Sequence, residues 1–550
     1  MNDIYIKEGE KRELKISPFG IYINQAGYSP LSTKIAVMPF ECSDFAVVNE
    51  KGEEVFNGKT DNFGYDKNSG DYIYKADFSS FSEKGSFRIK AGGKSSALFT
   101  VGEDAYEPVL KSVLKAFYYL RCGSGLSEKY AGVYKHAECH NSTAYLWGDE
   151  SVTKDVSGGW HDAGDYGRYV TAGACALAHL LFGFELFGGL KNTVFDIPES
   201  GNGIPDILNE CRVELEWMIK MQREDGGVYH KATTALHAPF VMPEDDKAKM
   251  YLFPVSSMAV ADASAVFALA SRIYEPYDKA FSDKLRECAE RSYGWLKANP
   301  DFIGFRNPEG CNTGGYGEWE DRSNRFWASC ELYALTGDEA YHKDLKALIK
   351  EDFSLSGLGY VDVGGFGSLS YILSARNKDK AIEEKMTSAF MENADWLRKI
   401  ADSCGYGVAM DEGHYHWGSN MTAMKNAMIF IIADRLSGEN KYRPYVERLY
   451  DYLMGLNALG ISYVTGQGEY RCNYPHLRPA HADGIEECIP GMVSGGPNRT
   501  PGDHDAKILI PEGTPPMKCY ADEAGCYSLN EITIYWNSPT AFVLSYLNEK

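Results

Sequence analysis

The chain has 550 residues, 44% of them hydrophobic and 24% charged. These values sit near the averages for soluble globular proteins and exclude disordered and collagen-like chains. Lys plus Arg total 56 against 77 Asp plus Glu, a net charge of −21. So acidic a surface repels phosphate backbones and anionic lipid, which excludes nucleic acid and membrane as partners and leaves room for a neutral ligand.

The start, Met1-Asn2-Asp3-Ile4-Tyr5-Ile6-Lys7-Glu8, is charged and lacks the apolar core of a signal peptide. No apolar run approaches the ~20 residues of a membrane span. The 13 cysteines are odd in number and scattered, so they read as mostly free and buried rather than as a disulfide framework. The expectation is a cytoplasmic protein, or a secreted one whose leader has been removed.

Up to about residue 102 the chain reads as β. Ile21–Asn24, Lys34–Met38, Phe45–Val48 and Ser86–Ile89 are short runs punctuated by Gly, Asn, Asp and Ser, a spacing that predicts a small β-sandwich. At Tyr106 the period changes. Val109, Leu110, Val113, Leu114, Phe117 and Tyr118 recur at three- and four-residue steps, one face of a helix. Further helices are predicted near 168–187, 204–222, 256–274, 280–297, 325–336, 339–350, 364–375, 379–400, 420–436, 441–456 and 538–549, with almost no strand between them. With the first, near 106–120, these make twelve helices. Taken as six pairs, they fit an (α/α)6 barrel, and the lack of a fixed-period repeat argues against a superhelical array. The predicted domains are 1–104, all β, and 105–550, mainly α. In such a barrel the loops of one rim carry the chemistry.

Three loop stretches stand out. Ser157–Gly167 places Asp162 and Asp165 three apart in a Gly-rich turn before a helix. Such a pair can hold and deprotonate one water, although the same residues also suit a helix cap. Tyr520–Ser538 carries Glu531 among apolar and aromatic residues, where burial would keep it protonated as a general acid. A capping or surface Glu is the other reading. His476 and Arg478, one residue apart, can both point at a ligand or serve structure.

Together these stretches resemble glycoside hydrolase family 9, the inverting β-glucanases that include many cellulases. The likeness covers nearly the whole chain. Ile23-Asn24-Gln25-Ala26-Gly27-Tyr28 is similar to the opening of the immunoglobulin-like domain that precedes many of these barrels. Trp417-Gly418-Ser419-Asn420 and Gly495-Gly496-Pro497-Asn498 also resemble family segments, and Tyr520, Asp522, Tyr527, Glu531, Thr533, Asn537 and Ser538 fit its C-terminal signature. Tyr470 and Leu477 depart from the pattern around His476, and Trp536 stands where Tyr is more usual. The resemblance implies Asp165 as general base, Asp162 as its partner in holding water and Glu531 as acid. It implies His476, Arg478 and Trp536 as sugar contacts. Inverting chemistry calls for carboxyl groups ~6.5–9.5 Å apart, with room for a water between.

Cys122, Cys139, His140 and His161 form a two-Cys, two-His set of the kind that suits tetrahedral zinc, and they match the zinc-bearing subgroup of the family. With four protein ligands the site would be structural. Pro198–Asp206 offers Glu199, Asn202 and Asp206 around a tight turn; it resembles the family's calcium loop, and hard oxygen ligands suit Ca²⁺. No organic cofactor is implied.

The expected activity is hydrolysis of β-1,4-glucosidic bonds in cellulose-type glucans or cello-oligosaccharides with inversion. No docking module follows the barrel, which favours soluble glucans. The alternatives are an exo-acting β-glycosidase on another oligosaccharide, such as an amino-sugar oligomer, an inactive carbohydrate-binding protein, and a zinc hydrolase.

Overall fold

The structure, a computed structural model, describes residues 4–7 and 14–549. Met1–Asp3 and Glu8 of the charged N-terminal stretch lie outside them, as does Lys550. The described chain forms two compact units, one from Met1–Ala116, Ala394–Ala480 and Gly484–Lys550, the other from Phe117–Asn393 and His481–Asp483.

The first unit begins with an all-β domain. Its strands are β1 (Ile35–Met38), β2 (Asp44–Asn49), β3 (Glu54–Asp66), β4 (Asp71–Asp77), β5 (Gly85–Ala91), β6 (Lys94–Ser95) and β7 (Phe99–Val101). They are ordered β1-β4-β3-β2-β5-β6, with β7 also on β5. The long β3 pairs through Glu54–Lys59 with β2 and from Thr60 onward with β4. A strand that changes neighbours in this way lets the sheet fold over on itself. Alternate residues point into the fold: Phe45 and Val47, Phe87 and Ile89, with Tyr28, Phe78 and Phe99 in edge-to-face and tilted contact. Ile21–Asn24 forms isolated bridges and no strand. Asn24 turns the chain instead, its Oδ1 accepting from the amides of Ala26 and Gly27.

Every predicted helix is present: α1 (Glu107–Tyr119), α2 (Val170–Leu186), α3 (Asp206–Met221), α4 (Ser257–Tyr274), α5 (Lys279–Ala298), α6 (Arg322–Thr336), α7 (Glu339–Leu348), α8 (Gly364–Leu373), α9 (Lys380–Asp402), α10 (Ser419–Ser437), α11 (Arg443–Leu453) and α12 (Ile534–Leu547). In the second unit α2, α4, α6 and α8 pack side by side and are buried nearly all round. Small residues recur along both α2 (Ala172, Gly173, Ala174, Ala176, Ala178) and α4 (Ala259, Ala261, Ala263, Ser264, Ala265, Ala268) and allow that close approach. Outer helices α3, α5 and α7 lie against them. Helix α5 shows why: Asp278 caps it by accepting from the Phe281 amide at 3.0 Å, and Phe281, Leu285, Cys288, Ala289, Ser292 and Leu296 bury one face. In the first unit α10 and α12 are the buried pair and α11 packs on both.

The same unit joins the β domain to these helices through polar contacts. Asn24 donates to buried Asp451 at 2.8 Å, Gln25 donates to the Gly460 and Tyr470 carbonyls and accepts from the Tyr470 amide, and Glu447 accepts from the Thr33 amide.

The second unit holds a five-stranded sheet that the sequence did not announce. Its strands are β8 (Ala144–Leu146), β9 (Asp149–Lys154), β10 (Arg168–Tyr169), β11 (Lys231–Thr233) and β12 (Tyr251–Leu252), in the order β10-β11-β12-β8-β9. No helix among the described residues is long and apolar enough to cross a membrane. No disulfide joins any of the 13 cysteines among the described residues; Cys42 and Cys311 are half-buried and the rest buried.

Candidate active site and metal centre

The Asp162–Asp165 loop is shaped by its glycines and by buried acids beneath it. Gly159 has φ +79°, and a Cβ there would meet Glu214 Oε2 at 2.8 Å and the Trp217 ring, so only glycine fits. Glu214 of α3 accepts from the Trp160 amide at 2.7 Å, and Glu210, one helical turn earlier, from the Trp160 indole at 2.9 Å. Burial pushes the Glu214 carboxyl up to about 8. Arg168 clamps the start of the loop by donating to the Val156 and Gly158 carbonyls. The Asp162 amide donates to the Gly167 carbonyl at 2.9 Å and closes the turn.

Neither aspartate caps the following helix. Strand β10 intervenes, and Tyr169 at the cap position makes no side-chain cap. The capping alternative therefore falls. Asp162 is 1% exposed. Its Oδ2 accepts from the Tyr316 hydroxyl at 2.5 Å, and its Oδ1 has no hydrogen-bond partner among the described residues. Burial holds its carboxyl well above the ordinary range; the Tyr316 hydroxyl opposes that, and the Asp165 and Glu214 charges add to it. Asp165 Oδ2 accepts from the Gly167 amide at 3.2 Å and the Tyr169 hydroxyl at 3.3 Å, and lies 3.3 Å from His237 Nδ1. Beneath Tyr169, buried Lys231 donates to Asn307, Thr313 and the Gly314 carbonyl, and burial lowers its ammonium to about 8.

In the first unit, Glu531 follows a short helical turn, Tyr527–Asn530, and is half-buried. It sits on an extended segment. His476 bridges it on one side, and the Gly495 amide donates to its carbonyl at 2.8 Å on the other. The His476 Nδ1 meets the Ala524 carbonyl at 2.6 Å and must be the donor there, while its ring stands edge-on to Tyr527. Arg478 is buried at the start of the short helix Arg478–Ala482. Trp536 does not behave as expected for a sugar platform. It is 3% exposed and packs its indole where a Cβ on Gly418 or Gly495 would collide with it. Its role is to support those two segments. Trp417, 46% exposed with its ring 5.6 Å from Tyr527, keeps an open face instead.

Cys122, Cys139, His140 and His161 come together as foreseen. Their ligand atoms all lie within 4.8 Å of one another. His161 Nε2 is 3.3 Å from His140 Nδ1 and 3.9 Å from Cys139 Sγ. Gly123 and Gly158 make the approach of the two loops possible, since a Cβ on Gly123 would stand 2.6 Å from the Gly158 amide. His140 takes a left-handed φ of 50°, and its Nε2 lies 3.3 Å from Asp246, an orienting carboxylate that sequence reasoning missed. The four residues form a compact cluster of the kind that can hold a metal ion.

The calcium expectation does not hold for the residues assigned to it. Both Glu199 oxygens are bound by the Arg121 guanidinium at 3.0 and 2.9 Å. Asp206 Oδ2 accepts from the Phe195 amide and the Ser200 hydroxyl, and Asn202 Oδ1 from the Ile204 amide and Asn209. These oxygens serve a hydrogen-bonded turn, so the set does not fit the cation.

Comparison with known proteins gives a consistent answer. The sequence profile of Glycosyl hydrolase family 9 matches residues 106–544, and that of the cellulase N-terminal Ig-like domain residues 19–96. A cellodextrinase from Butyrivibrio fibrisolvens is 47% identical over 543 residues, 96% of this chain and 99% of that one. Among solved structures, a thermostable endoglucanase from Alicyclobacillus acidocaldarius matches with TM-score 0.91 and 36% identity over 97% of this chain and all of that one. A zinc-binding triple mutant of a family 9 endoglucanase matches with TM-score 0.88 and 33% identity over 95% and 99%. The fold is thus an (α/α)6 barrel preceded by an immunoglobulin-like domain.

Proposed function

The chain belongs to glycosyl hydrolase family 9, and from that premise we propose that it hydrolyses β-1,4-glucosidic bonds in cello-oligosaccharides with inversion at the anomeric carbon. The observation that carries this reading is the Asp162–Asp165 pair: a buried carboxylate with one oxygen that meets no partner among the described residues, beside a second carboxylate that the Gly167 amide, the Tyr169 hydroxyl and His237 approach. That arrangement suits two oxygens gripping one water. The near-full-length similarity to a cellodextrinase supports short oligosaccharides as substrate.

In this reading Asp165 takes a proton from water as the water oxygen bonds to the anomeric carbon, and Asp162 fixes that water. Glu531 gives its proton to the departing glycosidic oxygen, so the C–O bond breaks without forming an alkoxide. His476 and Arg478 contact the sugar beside the bond. The preset Nδ1 donor of His476 fixes the ring plane before substrate arrives.

The metal set reads as zinc. Two thiols and two imidazoles are the donor set that suits zinc, and the His161 and His140 nitrogens already stand 3.3 Å apart. Held by four protein ligands, zinc would supply no open position for chemistry and would tie the Asp162 loop to the Cys122–His140 segment.

The test is product analysis on cello-oligosaccharides of increasing length with wild type, Glu531→Gln and Asp165→Asn. Inverted anomers by NMR and loss of turnover in both variants are expected. Retained configuration, or turnover in Glu531→Gln near that of wild type, would defeat the assignment.

A further inference from the structure

Residues ahead of the β domain return to the segment that carries Glu531. Ile4–Lys7 forms neither helix nor strand, and Ile6 is its anchor: the side chain is 4% exposed and its amide donates to Asp505 Oδ2 at 3.0 Å. Asp505 is buried in the short helix His504–Leu509. The cap of that helix, Asp503, accepts from the Ala506 amide and also from the amide and hydroxyl of Ser528, three residues before Glu531. Gly525 closes the junction. A Cβ there would collide with Asp505 and stand 3.3 Å from the Ile4 carbonyl, so glycine lets the acid's loop, Asp505 and the arm meet at one point. Further along, Lys15 Nζ lies 3.6 Å from Glu523 Oε1 and 4.1 Å over the Tyr474 ring. Asn530, beside Glu531, donates to the carbonyls of those same two residues, each at 2.8 Å. The arm is thus fastened to the frame of the acid in both of its described stretches. Tyr5, next to the anchor, is 53% exposed. It stands in the surroundings of Tyr527, whose phenol is raised above its ordinary value by burial first, then by the Asp503 and Glu531 carboxylates and the Tyr5 phenol. Tyr527 is the centre of an aromatic group, with the Trp417 and His476 rings each 5.6 Å away. Exposed phenol and indole rings join an apolar face to a polar tip, the combination a pyranose ring takes.

We propose that the Ile4–Lys7 arm forms part of the leaving-group side of the sugar site, with Tyr5 joining Tyr527 and Trp417 as a contact for the glucose unit that departs with the oxygen Glu531 protonates. The proposal rests on Glu531 being the acid. That reading fixes the side. A proton donor touches the glycosidic oxygen, and the rings gathered beside the donor meet the sugar to which that oxygen stays attached. A contact made equally before and during bond breaking lowers KM and leaves kcat alone. The arm then favours substrates with a glucose unit past the scissile bond, and does so with a segment that precedes the β domain rather than with a loop of the barrel. Its contribution depends on Ile6 staying docked on Asp505.

The experiment measures kcat and KM for cellotetraose and for β-cellobiosyl fluoride in wild type, Tyr5→Ala, Tyr5→Phe, Ile6→Asp, the Tyr5→Ala/Ile6→Asp double variant and Glu531→Gln, with thermal melts of each. Fluoride leaves as a single atom that needs no proton and carries no sugar, so this substrate reports the rest of the site alone. Tyr5→Ala is expected to raise KM for cellotetraose about two- to tenfold, the worth of one aromatic face, with kcat within about twofold and the fluoride unaffected. Tyr5→Phe keeps the face and should stay near wild type. Ile6→Asp sets a carboxylate against Asp505 and undocks the arm; it should match Tyr5→Ala, and the double variant should lose no more. An unchanged KM for cellotetraose in Tyr5→Ala and Ile6→Asp overturns the proposal, and an equal loss on the fluoride overturns it as well. Glu531→Gln should fail on cellotetraose and still turn over the fluoride. Turnover of cellotetraose by that variant instead removes the acid assignment itself.

Discussion

Replacing Tyr316 by Phe deletes one oxygen atom and tests the water-holding role of Asp162. In the wild type the Tyr316 hydroxyl is the one side-chain donor to Asp162 among the described residues, at 2.5 Å, and the carboxylate is 1% exposed. A hydrogen bond to a charged group contributes about 1.5–3 kcal/mol. At 1.36 kcal/mol per decade, that is a loss of about 10- to 150-fold in rate if the contact is made in full in the transition state. The short distance marks a charge-assisted bond and argues for the upper part of that range. The loss should fall on kcat, since Asp162 faces the water rather than the sugar, and KM should stay within about twofold. Initial rates on cellotetraose, read by chromatography, give both constants, and a thermal melt separates a catalytic loss from unfolding. A double-mutant cycle with Asp162→Asn sharpens the test. If Tyr316 acts through Asp162, Tyr316→Phe costs little more once Asp162 is gone. A kcat within threefold of wild type, or a full additional loss in the double variant, would refute the reasoning.

The remaining predictions concern the metal and the buried acid behind the β domain. Cys122→Ser should remove one zinc per chain, measured by elemental analysis, and lower the melting temperature; a wild-type protein free of zinc and indifferent to chelators would reject the site. Burial raises the Asp451 carboxyl to about 7, against the pull of Arg448 and Asn24. The unfolded chain releases that proton near 3.9. Between the two values the native state binds more protons, so this group's contribution to stability falls as pH rises from about 4 to about 7. The stability of wild type minus Asp451→Asn should therefore shrink across that window, by an amount on the order of a few kcal/mol. A difference flat with pH would contradict it.

The helices were legible because their chemistry is local. Caps such as Asp278 and the three- and four-residue spacing of Phe281, Leu285 and Cys288 need no partner to be recognised. Strands β10 to β12 were not, since two or three residues cannot display an alternation, and β3 hid behind its Asn, Gly, Lys and Asp residues. The aspartates and the four metal-set residues announced themselves by spacing and by resemblance. Tyr316 and His237 did not. They reach the aspartates from 154 and 72 positions away, and nothing in their own neighbourhoods marks them. The calcium reading failed for a related reason. An oxygen-rich turn looks alike whether it waits for a cation or for Arg121, which arrives from 78 residues upstream. Trp536 misled because an aromatic close to Glu531 in the family's C-terminal stretch suggests a platform, whereas it is 3% exposed and packed against Gly418 and Gly495.

The contacts made by Asn24 and Gln25 carry a consequence for anyone shortening the gene. A truncation at the helical boundary would take away the amide that serves Asp451 and both ends of the side chain that satisfies Gly460 and Tyr470. A catalytic fragment cut there would trade those hydrogen bonds for contacts with water and open the apolar surface around them, so its melting temperature should fall unless those positions were redesigned at the same time.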